Sequence, residues 1–481
     1  MYNLVKISIK FAFFEIYVNK VNMKKYDVII IGWGKGGKTL ANKLGLSNKK
    51  VTIIEKDPKM VGGTCINVGC LPTKSYTHYS HVFVETSKLG YKTSYETGKK
   101  AYVKTLKHKL QFVKKLNQKN FELLNKNKNV DIYMGSAKFL SDYEVEVNLN
   151  SNKKKVKLTA KNIIIGTGSV SRKLNIEGAA KSRFVKYSND ILNLRTLPKK
   201  LLVVGAGFIG LEFASYFANF GTQVTVAQYN SDFMPNEDKE DSKFILDTLK
   251  KQGIKFEFNT TCEKFKDLKS QVQVSLSNKT KKYKEKFDAV LISAGRIPNT
   301  LNLGLENTKI KVLDNKAIEV NKYLQTNVKG IYAIGDVKGG PMFTYISLDD
   351  YRIVSDQLLK TKKNRNLDNR PLVPTNVFIR PSFARVGLNL KQAKELNLQG
   401  CYAKTILTSS IPKAHVINEL EGFNKLIFNK QNQLIGVSLF SYVAHEIVNV
   451  FSLMIQNKMT FEEIKDYIYS HPVYTEMLND L

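Results

Sequence analysis

Hydrophobic positions fall into one pattern that occurs twice. In residues 26–56 (YDVIIIGWGKGGKTLANKLGLSNKKVTIIEK) a β-branched run ends in glycines, a stretch with helical spacing follows, and a second β-branched run closes the unit. Residues 200–228 (KLLVVGAGFIGLEFASYFANFGTQVTVAQ) repeat it. Short apolar runs bounded by turn residues, with a helical period between them, predict a βαβ crossover, and that connection requires a parallel sheet. Two such units, about 170 residues apart, predict two nucleotide-binding domains.

Between them, residues 75–128 read as helical and highly charged. Strand-like pieces follow at VDIYMGSAKF and YEVEVNL, and IIIGTGS at 163–169 returns to a buried strand. The lysine-rich piece from Leu359 to Arg370 has the composition of a linker. Beyond it, short strands (TNVFIRP, NKLIFNK, LIGVSLF) alternate with helices (NLKQAKEL, AHEIVNVFSLMIQ), which predicts a separate α+β domain. The expected partition is an extension at 1–22, one nucleotide-binding domain from 23–168 and 298–370, a second at 169–297, and a C-terminal domain at 371–481. Met23 is the expected natural start, because the strand pattern begins at once behind it. Lys10 and Glu15 interrupt the apolar stretch before it, and no small-residue cleavage site follows, which argues against a signal peptide.

Composition narrows the classes. The chain has 481 residues, 43% hydrophobic and 24% charged, a globular balance with ample core material, and no apolar run long enough to span a membrane. Its net charge of +33 raises the question of a polyanionic partner. Only nine of the 75 basic residues are arginine, the residue that nucleic-acid recognition favours for bidentate contacts. The lysines are spread over the whole chain, so the reading is a solvated basic surface and not a nucleic-acid site. Four cysteines are too few for a secreted disulfide scaffold. Cys262 and Cys401 have no near neighbour and are expected to be ordinary buried thiols.

Three sites carry chemistry. Gly32, Gly34 and Gly37 form G-x-G-x-x-G directly after a strand, and Glu55 ends the next strand 23 residues after Gly32. That spacing lets a backbone approach a pyrophosphate at a helix N-terminus while the carboxylate takes ribose hydroxyls. Gly205, Gly207 and Gly210 repeat the fingerprint, with Gln228 where a carboxylate would favour NADH and repel a 2′-phosphate. Glutamine neither repels nor neutralises phosphate, so both nicotinamide cofactors stay open, with NADH favoured because no arginine follows. Between the two lies GGTCINVGCLPTK, residues 62–74. Cys65 and Cys70 are one helical turn or a small loop apart, close enough for a disulfide, and Lys74 supplies a cation that favours thiolate. No second Cys or His pair at ligand spacing accompanies them, so a zinc site is excluded and no metal is expected. His78 and His81, one turn apart on the following helix, suit either a copper ion or, more simply, a polar helix face.

GGTCINVGCLPTK resembles the active site of the class I pyridine nucleotide-disulfide oxidoreductases, which include dihydrolipoamide dehydrogenase, glutathione reductase and mercuric reductase. The resemblance runs from Met23 to Leu481. It implies an α/β fold of two Rossmann-like domains, for FAD and NAD(P), with a C-terminal α+β dimerisation domain. It implies FAD at the first site, with Gly63, Thr64, Lys74 and Gly168 around it and Asp336 of GIYAIGDV (330–337) near the ribityl chain. It places NAD(P)H at the second, with Glu212 and Gly295. It makes Cys65 the interchange thiol and Cys70 the thiol against the flavin, and pairs Lys74 with Glu212. In YSHPVYTEMLNDL, at the chain end, it makes His471 a base oriented by Glu476 and serving the cysteines of the other subunit, which requires a homodimer.

Within that family the chain lacks the C-terminal cysteine pair of mercuric reductase. It also lacks the histidine-and-alanine segment that dihydrolipoamide dehydrogenase carries after the second FAD motif, and has MFTYISLDDYRIV (342–354) there. That segment, GWGKGGKTLANKL and the ending EMLNDL are similar to a branch of bacterial flavoprotein reductases that defend against reactive chlorine species and hypothiocyanous acid, some also reducing copper(II). The expectation is therefore a cytoplasmic NAD(P)H-dependent reductase of a small oxidant or disulfide. Dihydrolipoamide dehydrogenase is the alternative enzyme, and a flavoprotein with a nucleic-acid-binding basic surface is the alternative of another class.

Overall fold

The computed structural model describes residues 23–481; the segment 1–22 lies outside the described residues. The chain forms two compact units. One gathers residues up to Asn67, Lys114–Val170 and Ile297–Asn369; the other gathers Val68–Val113, Ser171–Arg296 and Arg370–Leu481. The chain therefore passes from the first unit to the second between Cys65 and Cys70.

The first unit is built on a sheet whose parallel strands run in the order Val130–Ser141, Val51–Glu55, Lys24–Ile31, Lys155–Ile165, Ile331–Ala333. Ile29, Ile30, Ile53, Ile163, Ile164 and Ile165 are fully buried. These strands are covered on both faces, which is why they read as unbroken apolar runs. The outer halves of the two long strands are joined by the antiparallel strand Glu144–Leu149. Helix Lys35–Leu46 follows the first strand and packs on helix Thr344–Leu359.

The second unit holds three sheets. A parallel one runs Lys255–Glu257, Gln223–Ala227, Lys200–Val204, Ala289–Ile292, Val185–Lys186. Helix Phe208–Asn219 follows the strand Lys200–Val204 and packs on helix Cys70–Lys88. An antiparallel sheet of Thr261–Asp267, Val272–Ser277 and Lys282–Phe287 was not anticipated from the sequence. Only Val272–Ser277 buries every second residue; Thr261–Asp267 buries Cys262 and Phe265 alone, and Lys282–Phe287 exposes three lysines and buries Phe287 alone, so no apolar run marks them. The C-terminal domain is an antiparallel sheet in the order Thr375–Val377, Ser382–Gly387, Leu434–Ser441, Phe423–Phe428, Tyr402–Leu407. Helix Ala444–Gln456 lies on it. The expected mixed α/β architecture is thus present, with both βαβ units on parallel sheets.

Cys262 is buried as expected, and burial pushes its thiol up to about 12. Cys401 is only half-buried, because it precedes Tyr402–Leu407, the edge strand of the last sheet. No helix of the described residues is long and apolar enough to cross a membrane.

Candidate active site

The first glycine motif forms a close-packed cradle. Gly32 ends its strand at a φ of +104°, and a Cβ there would lie 2.4 Å from the Gly166 carbonyl oxygen. Gly34 caps helix Lys35–Leu46 with no side-chain hydrogen bond of its own, and of the first-turn amides that of Gly36 donates to Ser347 Oγ at 3.1 Å. Gly63 comes up against it: a Cβ on Gly63 would sit 2.7 Å from the Gly34 Cα. Glu55 closes the far side, accepting from the Trp33 amide at 3.1 Å and the Asp57 amide at 3.0 Å. Burial raises its pKa against the pull of those amides. A glycine-lined cradle, a helix N-terminus opening from it and a terminal carboxylate are the set of groups a dinucleotide needs, so these residues fit FAD. Asp336 stands at the start of the short helix Gly335–Lys338, after Ile331–Ala333. Its carboxylate accepts from Ser169 Oγ at 2.5 Å, next to Gly168. The adjoining turn is fixed from below: Asp350, fully buried, accepts from the Gly335 amide at 2.7 Å and lies 3.6 Å from the Lys338 ammonium.

The second motif repeats this local geometry. Gly207 caps helix Phe208–Asn219 without a side-chain bond, and a Cβ on Gly210 would strike the Gly205 carbonyl at 2.0 Å. Gln228 stands where Glu55 stands in the first site. Its Oε1 accepts from the Ala206 amide at 2.9 Å, just as Glu55 takes the Trp33 amide. Lys255, on the neighbouring strand, is ion-paired with Glu257 at 2.6 Å. Gly295, at a φ of +97°, accepts from the Arg172 amide.

The redox motif spans the start of two helices. Thr64 is exposed, and Cys65 is the half-buried second residue of the short helix Thr64–Asn67. Cys70 opens helix Cys70–Lys88 and is also half-buried. One turn further on, Lys74 reaches both carboxylate oxygens of Glu212 at 2.8 and 2.7 Å. The Phe378 amide donates to the same carboxylate at 3.1 Å, and the Lys74 ammonium lies 4.1 Å from the Phe378 ring centre. Phe378 is a member of this group that sequence reasoning missed; it lies some 300 residues from Lys74, and no motif marks it. At the chain end His471 Nδ1 and Glu476 Oε2 are 2.6 Å apart. Glu476 is buried and the His471 side chain is 73% exposed, so Nε2 faces outward.

His78 and His81 do not share a surroundings. His78 is exposed, whereas His81 turns inward beside Arg380 and Glu419, and burial followed by Arg380 lowers its pKa to about 4.

Two family models match the chain: pyridine nucleotide-disulphide oxidoreductase over residues 26–350, and the dimerisation domain of the same family over 373–481. The chain belongs to the pyridine nucleotide-disulphide oxidoreductase family. It is 37% identical to the probable pyridine nucleotide-disulfide oxidoreductase RclA of Escherichia coli (strain K12), over 95% of this chain and 99% of that one. The dihydrolipoyl dehydrogenase of Bacillus subtilis (strain 168) is 33% identical over 94% of each chain. Among solved structures, the Cu(II) complex of the HOCl-induced flavoprotein disulfide reductase RclA from Escherichia coli matches with a TM-score of 0.88 and 37% identity, covering 95% of this chain and 99% of that one. Family membership makes the chain a flavoprotein oxidoreductase that uses FAD and a nicotinamide nucleotide, with a C-terminal dimerisation domain.

Proposed function

We propose that this chain is a cytoplasmic, homodimeric NADH-preferring reductase that destroys a small electrophilic oxidant, best represented by hypothiocyanous acid, through a Cys65–Cys70 dithiol–disulfide cycle. The observation that carries this is the full-length similarity to an HOCl-induced flavoprotein disulfide reductase, over both the glycine cradles and the C-terminal domain. The NADH preference rests on Gln228 being neutral and on no arginine following it closely in the sequence.

Gly32, Gly34, Gly37, Glu55, Gly63 and Asp336 would hold FAD, which when bound relays two electrons from the nicotinamide to the disulfide. The protein's own residues then do the following. His471 of the partner subunit, held by its Glu476, takes the Cys65 proton at Nε2. The Cys65 thiolate attacks the sulfur of hypothiocyanous acid, forming an S–S bond to the thiocyanate group and expelling hydroxide, which takes up a proton as water. The Cys70 thiolate displaces thiocyanate and closes the disulfide. Per turn, one NADH and one hypothiocyanous acid give NAD⁺, thiocyanate and water. Lys74, fixed by Glu212 and stacked on Phe378, keeps a positive charge one turn from Cys70.

The test is turnover of the purified holoenzyme with NADH and NADPH against hypothiocyanous acid, copper(II), lipoamide and glutathione disulfide. The expected result is fastest NADH oxidation with hypothiocyanous acid, lost in Cys65→Ser and Cys70→Ser. Rapid lipoamide turnover with slow hypothiocyanous acid turnover would instead make the enzyme a dihydrolipoamide dehydrogenase.

A further inference from the structure

Lys38 is a buried cation that the cycle above does not use. It follows Gly37 directly and lies on the apolar stripe of helix Lys35–Leu46, among the buried Gly37, Leu40, Ala41, Leu44 and Gly45. Only 7% of it is exposed. An ammonium taken out of water at such a position is destabilising unless a charge or strong acceptors answer it. The acceptor it meets is the side-chain carbonyl of Asn120, a neutral group, which is itself tied by its own amide to the Leu116 carbonyl at 2.7 Å. Burial first, and then Lys35 on the same helix, lower the Lys38 pKa to about 8; the group acting to raise it is Cys65.

Asn120 lies on helix Tyr95–Asn125, and the same stretch of that helix holds the turn that bears Cys65. Asn117, three residues before Asn120, donates to the carbonyls of Lys59 and Val61 and to Asn67 Oδ1, each at 3.1 Å. Asn67 donates in turn to the Val61 and Gly63 carbonyls at 2.9 Å, closing the loop around the turn that bears Cys65. Gly62, at a φ of +93°, has no side chain to keep that loop off Asn120. Lys38 and the turn that bears Cys65 are thus anchored to one row of asparagines, with no carboxylate among the described charged groups acting on Lys38.

We infer that Lys38 is the standing counter-cation of the Cys65 thiolate, a positioning residue that raises the reactive anionic fraction of Cys65 in the reduced enzyme. The inference rests on Cys65 being the thiol that meets the oxidant. It explains why a lysine is kept on the buried face beside the cofactor motif: a nearby cation in low dielectric lowers a thiol pKa, and the thiolate is the nucleophile.

The test uses FAD-loaded protein in a Cys70→Ser background, where Cys65 cannot form the internal disulfide. The rate of Cys65 alkylation by iodoacetamide is followed by mass spectrometry from pH 5 to 9.5, with Lys38 intact, as K38R and as K38M. K38M is expected to shift the alkylation profile up by about one pH unit, slowing the reaction about tenfold at pH 6, while K38R stays near the parent profile. If K38M does not retain FAD, K38Q, which keeps a donor for Asn120, carries the same expectation. A profile in the neutral variant that superimposes on the parent's overturns the proposal. That outcome is independent of whether NADH reduces the Cys65–Cys70 pair in the otherwise unaltered protein, which tests the underlying reading separately.

Discussion

Lys38 and His81 are bases that folding has largely removed from water, and burial lowers the pKa of both. For His81 this has a consequence for stability. Its pKa falls from 6.5 to about 4, with burial the main cause and the Arg380 guanidinium the next. Between those values the unfolded chain binds a proton that the folded chain refuses, so stability falls as pH drops through that window and is unaffected by His81 above it. Urea midpoints of the holoenzyme should decline from pH 7 to pH 5, with His81 supplying up to about 2 kcal/mol of the loss. His81→Phe should flatten that limb; an identical slope in the variant would show that His81 is not its source. At this scale the sequence was legible where chemistry has a fixed spacing. Cys65, Cys70, Glu55 and His471 announce themselves in short motifs. Lys38, Asn117, Asn120 and Phe378 do not, since their partners lie tens to hundreds of residues away, as with the 82 residues between Lys38 and Asn120.

At the level of elements, the two βαβ units were readable because a strand covered on both faces leaves a continuous apolar run. The sheet of Thr261–Asp267, Val272–Ser277 and Lys282–Phe287 was not, because a one-sided sheet in a lysine-rich chain hides its period behind exposed charge. The close contact between elements that shapes the cofactor site is that of Gly63 with Gly34. It sets the turn bearing Thr64 and Cys65 directly over the start of helix Lys35–Leu46. Gly63→Ala would require both an unfavourable φ of +80° and a shift of backbone by the better part of an ångström. The expected outcome is protein purified with little or no flavin, read from its visible absorbance, with the second nucleotide site and the C-terminal domain still folded. Full flavin content in Gly63→Ala would show that this approach does not shape the cofactor site.

For the whole molecule, the family's dimerisation domain occupies residues 373–481, and His471 lies on it with its Nε2 facing outward. If that imidazole serves the partner subunit, two inactive variants should complement each other. His471→Ala alone is expected to lose a factor of about 10² to 10⁴ in turnover, the usual worth of a positioned general base. A heterodimer of one Cys65→Ser subunit and one His471→Ala subunit keeps one intact site, and co-expressed, tag-separated heterodimers should recover about half of the unaltered dimer's activity. Heterodimers as inactive as both parents would place the histidine's action within its own subunit. The net charge of +33 enters none of these steps.

The dithiol–disulfide cycle remains the claim on which the others depend, and counting thiols tests it most directly. Anaerobic holoenzyme should be denatured and alkylated before and after one equivalent of NADH, and the modified cysteines located by mass spectrometry. Cys65 and Cys70 should be protected before NADH and both labelled after it, with Cys262 and Cys401 labelled throughout. Labelling of Cys65 and Cys70 that does not change with NADH would contradict the account.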